Sequence, residues 1–179
     1  MTQEEVYQDV KKSLQVLGDL SGNYPIQGYR APSFSVTKKT WFVFDIFKRL
    51  GLKYDSSVYP VYHPDYGVPD FGQKAKRVDG VLEIPLNYVS IGKIKLPISG
   101  GGYFRLLPYA LFKFLLKKAL KGGNVVLYFH PWEFDPEQPR VKMPLLKTFR
   151  HYVGLNANRR KFQKLLNDFS FIMMKDLEV

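Results

Sequence analysis

Three polar side chains stand where chemistry is commonly mounted. Arg30, Asp55 and His130 each follow a short run that reads as a β-strand. At the C-terminal ends of parallel strands such residues can converge on one rim. A cation, a carboxylate and an imidazole placed so could run a proton transfer. Asp55 would accept a hydrogen bond from one ring nitrogen of His130 and favour the imidazolium, the other nitrogen would protonate a leaving group, and Arg30 would orient a further carboxylate. An ordinary reading fits the same residues. A histidine after a buried strand is as often a structural hydrogen-bonding group, and Arg30-Ala31-Pro32 reads equally as a turn. Spacing alone leaves both open.

The elements that would position these residues follow from periodicity. Thr2 and Glu5 form a capping box, and Val6, Val10, Leu14 and Leu17 then recur on one face of a helix that Gly22 ends. Pro25 to Tyr29 reads as a strand, and Ala31, preceding a proline, is pushed to an extended conformation. A buried helix is predicted from about Lys38 to Leu50, with Gly51 past its end, and Leu52 to Tyr54 as the next strand. Val58 to Gly80 carries prolines, tyrosines and phenylalanines without helical period and reads as a long ordered surface excursion. Val81 to Ile84 and Tyr88 to Ile98 read as short strands, Leu107 to Leu120 as a helix, and Val125 to Phe129 as a buried parallel strand delivering His130-Pro131-Trp132-Glu133. A polar, proline-rich stretch precedes a last helix from Asn158 to Phe169 and a strand from Phe171 to Met174. Strands alternating with helices predict an α/β fold with mainly parallel strands. No repeat or boundary is legible, so residues 1–179 read as one domain.

With 179 residues, 45% of them hydrophobic and 16% aromatic, the chain can bury a sizeable core, which excludes global disorder and coiled coil. The net charge of +11 would attract polyanions or an anionic membrane without naming either. Without cysteine there is no disulfide framework, thiolate metal cluster or cysteine nucleophile. No apolar run of spanning length occurs and the N-terminus is polar, so the expected location is the cytoplasm, with peripheral attachment at the inner membrane as a further option. The lysine-bearing helix from Leu107 reads as an outer helix with solvated lysines rather than a membrane helix. The clusters Lys74 to Arg77 and Arg159 to Lys161 read as solvated faces or contacts to an acidic glycan, and no nucleic-acid partner is expected. Gly100-Gly101-Gly102 lacks the lysine of a phosphate-binding loop and is expected to serve close backbone packing with no helix start behind it.

Four strings in register carry a resemblance: Gly28-Tyr29-Arg30-Ala31-Pro32-Ser33-Phe34-Ser35, Tyr54-Asp55-Ser56-Ser57, Gly100 to Pro108, and His130-Pro131-Trp132-Glu133. Together they resemble the polysaccharide deacetylases of the NodB-homology group, in the branch found in bacterial exopolysaccharide loci. That branch has a C-terminal extension, which here would run from about residue 131 through Asp135 to Arg140 and Arg150-His151-Tyr152. The resemblance implies the C-terminal part of a distorted (β/α) barrel that removes N-acetyl groups from an exopolysaccharide amino sugar with a divalent metal, zinc or similar. It implies that Arg30 tunes the catalytic base, that Asp55 pairs with the acid, and that His130 is that acid. Pro32, Tyr103 and Trp132 would touch substrate.

The sequence also departs from that pattern. The group's Asp-Asp and His-x-x-x-His motifs have no counterpart, and His63, His130 and His151 contain no i,i+4 pair. The chain is therefore expected to hold no metal alone, to be inactive alone, and to form an incomplete barrel. It should pair with a complementary N-terminal half or with itself. The alternative function is a non-catalytic glycan-binding or assembly module.

Overall fold

The computed structural model describes residues 1–22, 24–63 and 66–177. The chain is mixed α/β and forms two compact units, Met1–Leu86 with Met173–Val179, and Asn87–Ile172, where the sequence marks no boundary.

In the first unit the opening helix is α1, Gln3–Leu20. Its capping box forms as the sequence predicts: the Glu5 N–H donates to the Thr2 hydroxyl at 3.2 Å and the Thr2 N–H donates to the Glu5 carboxylate at 2.7 Å. Val10 is buried on its inner face, with Val6 and Leu14 beside it. Strands β1 (Gly28–Tyr29), β2 (Tyr54–Asp55), β3 (Lys76–Val78) and β4 (Val81–Glu83) form one sheet in the order β1-β2-β4-β3. The β1–β2 and β2–β4 pairs are parallel, and the β3–β4 pair is antiparallel. The antiparallel pair turns through Asp79 and Gly80, both at positive φ, the two-residue hairpin that an Asp-Gly step favours.

The helix expected over 38–50 is shorter. A 3-10 turn occupies Lys38–Thr40, and α2 runs only over Val43–Arg49. Thr40 accounts for the break: its hydroxyl accepts from the Thr37 N–H and donates to the Ser35 and Thr37 carbonyls, so the backbone turns tightly before α2 begins. Val43, Phe44, Ile46 and Phe47 of α2 are buried, as the apolar pattern predicts, and Phe44 and Phe47 pack edge to face at 5.9 Å. The excursion from Val58 to Gly80, whose residues 64 and 65 lie outside the described residues, is more than surface. Val58, Val68 and Phe71 enter the same core, and its end supplies β3.

In the second unit, β5 (Tyr88–Ile91) and β6 (Ile94–Pro97) form an antiparallel hairpin. Helices α3 (Gly101–Leu106), α4 (Tyr109–Leu120), α5 (Leu145–Tyr152) and α6 (Leu155–Asp168) follow. The core here is Val89, Ile98, Phe104, Phe112, Leu115, Leu116 and Leu165. Four expectations are corrected. Residues 125–129 are extended but form no strand, because their partner segment curls into α3 directly after one parallel bridge between Gly100 and Tyr128. The triple glycine does open a helix, with Gly100 as the cap of α3. The proline-rich stretch contains α5, started by Pro144 at its cap position. No strand forms over 171–174 among the described residues. Phe171, Ile172 and Met173 are exposed there, and a 3-10 turn follows at Met174–Asp176.

Gly154 links α5 to α6 at φ 70°, and a Cβ there would overlap the Arg105 carbonyl oxygen. Both the left-handed backbone and the close approach exclude a side chain. Gly154→Ala should therefore lower the stability of the folded chain by about 1–3 kcal/mol in urea denaturation.

Candidate active site

Arg30 follows β1 and Asp55 ends β2, and the parallel register pairs Tyr29 with Asp55. Arg30 turns back onto the end of β2. Its Nε donates to the Ser56 carbonyl at 2.9 Å and a terminal nitrogen donates to the Ser56 hydroxyl at 2.8 Å. That hydroxyl donates in turn to the Ile84 carbonyl at 2.7 Å, so a single guanidinium ties three strand ends together. Ala31 takes the extended conformation predicted from Pro32, and its N–H donates to the Ser57 hydroxyl at 2.7 Å. Pro32 is exposed and starts a 3-10 turn over Pro32–Phe34. Ser33 and Phe34 both have positive φ, at 55° and 51°, which is rare for a bulky residue and marks strain beside Arg30. The Phe34 ring lies 6.0 Å from the Arg30 guanidinium and 5.9 Å from the Tyr59 ring.

Asp55 is wholly buried. The Ser57 hydroxyl donates to one of its oxygens at 2.7 Å and the Ser57 N–H to the other at 3.2 Å. Its neighbour across the sheet is Glu83, also wholly buried and directly opposite in the β2–β4 register. One oxygen of Glu83 accepts from the Val58 N–H at 3.0 Å, and the other has no donor. Burial and the Asp55 charge push the Glu83 carboxyl up to about 10, so it is a neutral acid at pH 7. Burial also raises Asp55, opposed by its hydrogen bonds from Glu83 and Ser57. Sequence reasoning missed Glu83. The available signal was a lone acid inside the apolar run Val81-Leu82-Glu83-Ile84, where a charge is too costly to bury alone.

His130 belongs to the second unit. It is exposed at the end of the extended segment 125–129, and its backbone N–H donates to Glu133 Oε2 at 3.0 Å. The Trp132 ring stacks on His151 with centroids 4.3 Å apart and planes 8° apart, and lies nearly parallel to the His130 ring at 6.2 Å. Beneath this row is a buried ion pair. Arg105 Nε lies 3.4 Å from Glu133 Oε1, with both side chains almost wholly out of solvent. The Arg105 guanidinium also donates to the carbonyls of Arg150, His151 and Val153, and its carbon lies 4.9 Å from the Trp132 ring. Gly101 is required by the same pair, because a Cβ there would overlap the Glu133 carboxylate. Tyr103 is half-buried in α3 and lines a cleft with Leu106, Phe149 and Arg150.

Residues 56–178, about two thirds of the chain, match the family model described as a domain of unknown function, DUF3473. The chain belongs to the DUF3473 family. No curated protein and no solved structure matches it. The DUF3473 match takes in Ser56, Ser57, Glu83, the Arg105–Glu133 pair, His130 and Trp132, and begins one residue after Asp55.

Among the described residues no three His, Asp or Glu side chains gather as an ion requires. What the first unit can do chemically is hold a proton between Asp55 and Glu83 and fix a guanidinium beside them. The second unit presents an imidazole and an indole on a rigid base.

Two predictions follow from this geometry. Between about 4.5, where the unfolded carboxyl of Glu83 releases its proton, and about 10, the folded chain binds more protons than the unfolded one, so its stability should fall as pH rises through that window. Glu83→Gln removes the titration, and denaturant midpoints measured across the window should then decline less steeply with pH. A slope unchanged by the substitution would show that another group is responsible. Glu133→Ala, which leaves Arg105 buried and unpaired, should cost about 3–5 kcal/mol in the same assay.

Proposed function

We propose that the chain supplies the C-terminal share of a polysaccharide deacetylase-type site, a hydrolase that removes N-acetyl groups from an exopolysaccharide amino sugar in the cytoplasm. The fold would then be the C-terminal part of a NodB-like barrel. The base and the divalent metal would come from residues outside this chain, in a complementary N-terminal half. The observation that carries the reading is the placement of Arg30 and Asp55 at the ends of adjacent parallel strands, with Arg30 bonded to Ser56 and Asp55 to Ser57.

In this reading each of the chain's own residues has a limited task. His130 donates a proton to the departing amine, and its exposure gives a substrate access to the ring. Asp55 supplies a buried negative charge whose position is set by Ser57 and Glu83. Arg30 orients the carboxylate of the incoming base. Trp132 and Tyr103 offer flat rings to a sugar, and Pro32 lies at the exposed edge of the Arg30 turn.

The test is acetate release from an N-acetylglucosamine oligomer, with and without zinc or cobalt. The purified chain alone should release none. Release should appear when a protein segment carrying the Asp-Asp and His-x-x-x-His motifs is added. In that assembly His130→Ala should lower turnover at least about 100-fold with little change in oligosaccharide binding. Release by the isolated chain would place the metal ligands within it, and full turnover in the variant would remove His130 from its role. Oligosaccharide binding with no release under any condition would leave the non-catalytic glycan-binding module.

A further inference from the structure

Helix α5 is built inside out. None of its residues is buried, and Leu145, Leu146 and Phe149 are 90%, 69% and 54% exposed. At about 100° per residue these three fall in one sector of the helix, and Arg150 and Lys147 occupy the sector next to it. The side turned inward holds Thr148, His151 and Tyr152, all half-buried. His151 stacks on Trp132 and bonds Gln138 at 3.1 Å, and the Tyr152 hydroxyl accepts from the Val141 N–H at 2.9 Å. Arg105 fastens the end of the helix through its carbonyls. The helix is thus held by its polar side and main chain, with its apolar side left in water. Leu106 of α3, also exposed, continues that surface across the cleft it shares with Phe149. An apolar patch of this kind marks a contact surface.

The charge around it identifies the partner. Lys142, Lys147 and Arg150 are exposed beside or just before the patch, Arg140 packs on the Tyr152 ring at 4.1 Å, and no Asp or Glu occurs between Glu137 and Asp168. A second copy of the chain would bring these cations against one another. A nucleic acid would satisfy them and leave the leucines and Phe149 wet. A bilayer interface with anionic headgroups takes both, cations at the headgroups and apolar side chains at the acyl boundary. We propose that α5 and the segment leading into it dock the chain on an anionic lipid surface. No helix among the described residues is long and apolar enough to cross a membrane, and the proposed contact is made through the outward side of α5. This holds whatever chemistry the chain serves.

Helix α4 also exposes Leu111 and Phe114 among lysines. There Lys113 is paired with Asp168 at 2.8 Å, and Lys118 is bonded to the Ser90 carbonyl, which makes it the weaker candidate and a useful control.

The test is flotation of the full chain with vesicles of phosphatidylcholine alone or mixed equally with phosphatidylglycerol. We expect binding to the mixed vesicles, little to phosphatidylcholine, and loss with added salt. The double substitution Leu146→Ser with Phe149→Ser should weaken binding at least about tenfold, with an unchanged far-UV spectrum and melting profile. Lys142→Gln with Lys147→Gln should weaken it about 25-fold at low salt, each cation contributing roughly fivefold. Phe114→Ser should leave it unchanged. Absence of vesicle binding at low salt, equal binding by the α5 double variant, or loss with Phe114→Ser would each overturn the proposal. A dimer in solution that the α5 double variant dissolves would assign the face to a second copy and overturn it as well.

Discussion

Two carboxyl groups set side by side and out of solvent share a site by sharing a proton, and the first unit is arranged around that requirement. Asp55 and Glu83 are paired by strand register, so neither can be withdrawn without moving a strand. Burial and the neighbouring Asp55 push the Glu83 carboxyl up to about 10, and burial also raises Asp55, where the two bonds from Ser57 oppose the rise. The sheet, the serines after β2 and the turn after Arg30 follow from holding that arrangement. Ser57 reaches Ala31, Ser56 reaches Arg30 and Ile84, and the strain at Ser33 and Phe34 sits where the chain leaves the guanidinium.

The second unit solves a related problem with opposite charges. Glu133 is buried beside Arg105, and both are satisfied only because backbone groups complete their shells. Glu133 accepts from the His130 N–H, and Arg105 donates to three carbonyls near the end of α5. Asn158 and Lys161 of α6 add to this. Asn158 donates to the Glu133 carbonyl at 2.8 Å, and the Lys161 ammonium reaches the carbonyls of Phe104, Arg105 and Leu107 that end α3. Burial lowers the pKa of Lys161, the expected direction for a cation that gives up water for carbonyl oxygens. The strings Gly100 to Pro108 and His130 to Glu133 therefore have a structural role of their own, in holding one ion pair.

Where local rules decide, the sequence was readable. The capping box at Thr2, the extended Ala31, the buried face of α2 and the strand β4 all depend on neighbouring residues alone. Where a partner decides, it was not. Val125 to Phe129 has the composition of a buried strand, but a strand needs a continuing neighbour, and the neighbour becomes α3. Helix α5 was hidden because Pro144 reads as a breaker when it is a start, and because its apolar residues face outward. Of the candidate site, Arg30 and Asp55 were legible as strand-end residues. Glu83 was not, because the strand pairing that sets it opposite Asp55 is a tertiary fact.

Arg105 holds α5 by main-chain oxygens alone, and main-chain oxygens are the same whatever side chain is attached. Residues 145, 146, 147, 149 and 150 can thus drift in evolution without loosening the ion pair beneath them. Within a lineage the outward side of α5 is free to be re-tuned for a different contact, whereas Gly101, Arg105, Glu133 and Gly154 must change together or not at all.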